Sequence, residues 1–158
     1  MQHLLTQQYA FVKDSRSALL LFCEMMSNDN FVAEVKGFGR GGSIRNLLVH
    51  SANSSLYWMA RHCFGEPHES LAYDHYHTLG ECVPLYQKVD AYMHRMINSF
   101  KQDYCQELSS TNAGQTFFAS PLKVYTHVIT HEFHHKGQIL SIARHLGYIP
   151  VDTDVIRA

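Results

Sequence analysis

The sequence is short of charge. Asp, Glu, Lys and Arg make up 17% of its 158 residues, and the net charge is -1 with histidines neutral. Lysines and arginines stand singly, with no basic block. A nucleic-acid binder needs a basic excess or stripe, so neither nucleic acid nor an anionic membrane surface is expected as a partner. Long apolar runs are missing too. The longest, Ala18 to Cys23, is far too short to span a bilayer. The first residues carry no basic n-region and no small-residue cleavage site, so no signal peptide is expected and the chain reads as cytoplasmic. Cysteine is sparse. Cys23, Cys63, Cys82 and Cys105 form no CxxC, which excludes zinc-ribbon and thioredoxin-like motifs. Their wide spacing suits buried free thiols in a reducing compartment. Internal repeats and low-complexity segments are absent. Glycine clusters once, at Gly37, Gly39, Gly41 and Gly42, but the spacing is not that of a phosphate loop and no apolar strand precedes it. A flexible connection between helices is the simpler reading.

What the chain does have is apolar content and histidine. The hydrophobic fraction is 46%, enough for one core, and residues 1–158 are expected to form a single domain. Four stretches repeat apolar residues at helical spacing. The first runs from Leu4 to Met26, through Leu5, Tyr9, Val12, Leu19 and Phe22, and Ser27 to Asn30 end it. Ser43 is a good N-cap for a second helix to about Phe64. His68 to His77 reads as a surface loop. Thr78 and Glu81 have the capping-box form and open a third helix that reaches about Phe100. Tyr104 to Ala119 is polar, with one short extended piece at Thr116 to Phe118. Ser120 and Pro121 start a fourth helix, which runs to about His145, with Gly147 at the C-terminal cap position. The expected architecture is all-α, a four-helix bundle with moderate loops.

Twelve residues are histidine, a large share for a type outside the commonest group. On a helical wheel of about 100° per residue, His131 and His135 fall within the arc of Val124, Val128, Ile139, Ile142 and Leu146. His127, His134 and His145 lie on a polar face instead. Side chains at i and i+4 stand one above the other, so both inward imidazoles could reach one ion. A buried histidine pair without metal would need partners for four ring nitrogens. Spacing alone leaves both readings open. His131, Glu132 and His135 also match HExxH, the zincin signature. Its extended form wants Gly and His where this chain has Gln138 and Ser141, and no glutamate follows His135. A metalloprotease is therefore the weakest reading. Glu132 is expected to pair with Lys136 one turn on, or to accept a hydrogen bond from a ligand imidazole. His50 is a candidate third ligand, although on the wheel it shares a face with Asn46, Asn53 and Tyr57 that spacing alone would leave to solvent. A second apolar strip, Ile129, Phe133 and Leu140, would meet another helix or a second copy of the chain.

Ser43 to His50 followed by Tyr57 and Trp58, with Pro121 to Ile139 and above all His131-Glu-Phe-His-His135-Lys-Gly-Gln-Ile139, resembles the DinB/YfiT-like family of metal-binding four-helix bundles. The resemblance covers nearly the whole chain. It implies that His50, His131 and His135 hold one divalent metal ion, with remaining coordination positions open to water or substrate. Zn or Ni is the first expectation, with Fe, Mn and Cu also compatible with imidazole. It further implies a homodimer and a small-molecule substrate, such as a low-molecular-weight thiol. The implied function is metal-dependent thiol S-transfer or hydrolysis, or else non-catalytic metal binding. No catalytic residue is singled out. Tyr57, Asn53 and Glu132 are the candidates.

Overall fold

A computed structural model describes residues 1–157. It is mostly helical, with five α-helices and a two-stranded antiparallel sheet. Helix α1 spans Gln2–Glu24, α2 Asn28–Val32, α3 Ile44–Leu56, α4 Leu79–Ser99 and α5 Pro121–His145. Strand β1 is Leu108–Asn112 and β2 is Gln115–Ala119. Helix α3 packs on α4 and α5, and α1 on the same two, so the four long helices close a ring of contacts. Among the described residues no helix is long and apolar enough to cross a membrane.

The caps act where the sequence places them. Ser43 Oγ accepts from Asn46 N at 3.1 Å, and Ser120 Oγ from Lys123 N at 3.2 Å. Each such cap stabilises its helix by about 1 kcal/mol. Thr78 and Glu81 form the capping box of α4. Inside the ring, Tyr9, Phe22, Leu47, Leu48, Met93, Ile139 and Ile142 are almost wholly buried. Each fully buried aliphatic or aromatic side chain contributes roughly 1.5–3 kcal/mol.

Three features depart from the sequence expectations. Ser27, expected only to end the first helix, caps the short α2 by accepting from Asn30 N. The second helix changes character at Tyr57, where Tyr57–Cys63 is π-helical. Beyond it Gly65 takes φ 66° and Glu66 N donates to Ala60 O at 3.0 Å. The polar stretch before α5 forms a hairpin rather than one extended piece, with Leu108 opposite Ala119 and Asn112 opposite Gln115. Its turn holds Ala113 at φ 49° and Gly114 at φ 78°, the left-handed pair that a tight hairpin turn requires. The glycine cluster forms a cinched loop. Val35 N donates to Gly42 O at 3.0 Å, and a side chain at Gly42 would run into the Val35 carbonyl.

Candidate metal centre

Helices α3 and α5 pack against each other, and their contact brings His50 to His131 and His135. One nitrogen from each ring lies within 4.8 Å of the other two. The His50 ring centroid is 5.2 Å from that of His131 and 4.8 Å from that of His135, and the planes meet at 63° and 89°. Three rings thus fan around one point. Nε2 of His131 and Nε2 of His135 face each other at 3.1 Å. Two imidazoles on one ion at about 2.0–2.1 Å would place their nitrogens about 2.8–3.4 Å apart, from square to tetrahedral angles.

The hydrogen bonds favour the ligand tautomer. His135 Nδ1 lies 2.7 Å from Gln138 Oε1. An amide oxygen only accepts, so His135 carries its proton on Nδ1 and turns the Nε2 lone pair into the cluster. Nδ1 of His131 is buried with no partner, so the cluster's own polar groups do not complete one another. Burial, then the field of Arg40 and of His135, lowers the pKa of His50 from 6.5 to about 4. Burial and the neighbouring imidazoles take His131 down to about 3. His135 is lowered as well, again first by burial. All three rings are therefore neutral at pH 7 and keep free lone pairs, and the donor set fits a divalent ion.

A family model described as the DinB family matches residues 1–158. The chain belongs to the DinB family. No curated protein matches it at a significant level.

Beside His50 of this DinB-family chain lies a cleft of about 350 Å³, lined also by Asn53, Tyr57, His68 and Ser70. Asn53 Oδ1 accepts from His68 Nε2 at 2.9 Å and from Leu71 N at 3.1 Å, which holds that loop against α3. Asn53 and Tyr57 therefore border the cleft. His50, on a face that spacing would have left to solvent, is partly buried at its edge.

Glu132 lies elsewhere. It is buried, and both its oxygens accept from Arg16: Nε to Oε1 at 2.7 Å, Nη2 to Oε2 at 2.8 Å. Arg16 also donates through Nη1 to Asp90 Oδ1 at 2.7 Å and stacks over Tyr86 at 4.8 Å. The pair with Lys136 expected from sequence does not form. Lys136 instead donates to Ser15 Oγ and, at 2.6 Å, to the carbonyl of Thr153, which ties the C-terminal segment to α1. The reason is rotation. The buried arc of α5 takes in Ile129, Glu132 and Lys136 and leaves His131 at its margin. The HExxH glutamate therefore faces α1, while the two histidines face α3. Arg16 could have been found from sequence, since it falls on the core stripe of α1 with Tyr9, Val12 and Leu19. Gln138 carried a weaker signal, an amide three residues after a candidate ligand.

Proposed function

We propose that this chain holds one divalent metal ion, Zn or Ni first, on His50, His131 and His135 and presents it to a low-molecular-weight thiol. The observation that carries the reading is the convergence of three neutral imidazole donors, with no carboxylate among them, beside a cleft that reaches His50. A bound ion of this kind supplies Lewis acidity for thiol- or water-dependent transfer. The protein's part is placement. His50 on α3 and the His131 and His135 pair on α5 bind, Gln138 fixes the His135 tautomer, and Asn53 and Tyr57 border the space for a substrate. With Glu132 committed to Arg16, the cleft has no carboxylate to act as general base. That favours thiol transfer, where the thiol itself supplies the nucleophile, over hydrolysis or proteolysis.

The scaffold in this reading is a single-domain four-helix bundle of α1, α3, α4 and α5, which the ring of helix contacts supports. A cytoplasmic homodimer that binds neither nucleic acid nor membrane completes it. Free thiols at Cys23, Cys63, Cys82 and Cys105 suit that compartment, and exposed Leu4, Phe11 and Leu21 on α1, with Met25 at its C-terminal cap, offer an apolar face to a second copy.

The test is elemental analysis of untagged protein beside His50→Ala and His131→Ala, followed by a thiol-consumption assay over a panel of electrophiles. About one equivalent of metal, lost in both variants, with metal-dependent thiol consumption, supports the enzyme. Metal without turnover supports the second reading, a non-catalytic metal-binding module. No metal after reloading refutes both.

A further inference from the structure

We propose that the molecule has a second, apolar subsite against His127 that takes a small aromatic ring carrying a negative charge. A cavity of about 170 Å³ lies between α5, the end of β2 and the π-helical segment, lined by Trp58, Ala119, Lys123, Val124 and His127. A dry apolar cavity of about 150 Å³ is enough to bind benzene. Its aromatic wall is rigid. The Trp58 ring meets His127 at 5.4 Å, Phe117 at 5.8 Å and His62 at 5.6 Å, all edge-on. His62 is itself fixed, with Nε2 donating to Ala119 O at 2.9 Å and Nδ1 2.6 Å from Ser110 Oγ. An indole held on three sides offers a ring-shaped slot at little entropic cost.

The cavity is one ring away from the histidine cluster. His127 stacks on His131 at 5.3 Å with planes 29° apart. Tyr57 and Trp58 are consecutive and pack edge-on at 5.4 Å. Tyr57 borders the cleft at His50 and Trp58 the apolar cavity, so the π-helical segment lies between the two spaces. Such segments gather at functional sites because they re-aim side chains. The charge is set by Lys123. It lies one turn before His127 on the same face and has no ion pair among the described residues, and no carboxylate lines the cavity. The subsite is built without His50 and needs no ion, so it goes beyond the metal reading and stands or falls separately.

Trp58 is the only tryptophan in the chain, so its fluorescence reports occupancy directly. Metal-free and metal-loaded protein would be titrated with benzoate, and with benzyl alcohol as the uncharged counterpart. The expected result is a saturable change with benzoate in both forms. Ala119→Leu, which fills the cavity, should weaken it by about tenfold or more. Lys123→Gln should weaken benzoate by about two- to fivefold and leave benzyl alcohol unchanged. Lys123→Glu, a change at an exposed position, should weaken benzoate further. An unsaturable signal in the wild-type protein, or identical titrations of wild type and all three variants, would overturn the subsite. Benzyl alcohol binding as tightly as benzoate would overturn the anionic part. Benzoate binding in a protein that takes up no metal would uphold the subsite and refute only the metal centre.

Discussion

Replacing Glu132 by Gln separates a structural glutamate from a catalytic one. Arg16 and Glu132 are both buried, with two hydrogen bonds of 2.7 and 2.8 Å between them. Gln keeps the shape, removes the charge and turns an amide NH2 toward one guanidinium nitrogen. Removing one partner of a buried pair costs about 3–5 kcal/mol, because the other charge stays buried without compensation. Asp90 still accepts from Arg16 at 2.7 Å, so the low end, about 3 kcal/mol, is expected. For a domain of this size each kcal/mol moves Tm by about 2–4 °C, so Glu132→Gln should melt about 6–12 °C lower. Metal content should stay near one equivalent, because neither oxygen points to the cluster. The double variant Arg16→Met/Glu132→Leu should recover most of the loss, since an apolar replacement of both charges removes the desolvation penalty as well. The assays are a thermal melt by circular dichroism and elemental analysis of the same samples. An unchanged Tm, together with lost metal-dependent turnover, would refute the structural assignment and restore the general-base reading of HExxH.

Gln138→Ala should keep the fold but weaken metal affinity by about 10–100-fold, measured by competition with a chelator, because His135 loses the acceptor that fixes its tautomer. Equal affinity would refute that role. Stability of the metal-free protein should fall as pH drops from about 6.5 toward 3. His50 and His131 take protons at about 4 and about 3 when folded but near 6.5 when unfolded, so the unfolded chain binds more protons in that window. Urea midpoints against pH check this, and His50→Ala should flatten the slope. Lys136→Met should leave the Thr153 carbonyl only its hydrogen bond from Ser15 Oγ at 2.5 Å, seen as faster amide exchange over residues 150–157 with little change in α5. Unchanged exchange there would show that the tail is held by other contacts.

The helices were legible because their signals are local. Ser43, Thr78 and Ser120 mark starts through hydrogen bonds to residues three positions on, and the apolar spacing of Tyr9, Val12, Leu19 and Phe22 needs no partner to be recognised. The hairpin was half legible. Phe117 and its neighbours look extended, but Leu108–Asn112 is polar and mostly exposed, and pairing with β2 rather than burial makes it a strand. The His131 and His135 pair stood out on α5 alone. His50 did not, because its partly buried position depends on how α5 packs across α3, and a wheel of α3 contains no information about α5.

Glu132 shows why a literal motif is a weaker guide than the face it occupies. At about 100° per residue, His131 and His135 lie about 40° apart, whereas Glu132 lies about 100° from His131 and Lys136 about 140°. One helix therefore carries two polar stripes, and its rotation in the core decides what each one meets. Ser15 and Arg16 on α1 capture the Glu132 and Lys136 stripe. At the same rotation the histidine stripe meets His50. The buried charges of α1 and α5 thus lie beside the histidine cluster, and none of them touches it. The Glu132→Gln expectation rests on the apolar stripe: α5, still packed along Ile139, Ile142 and Ala143, keeps its histidines aimed at α3, and the unpaired Arg16 costs stability alone.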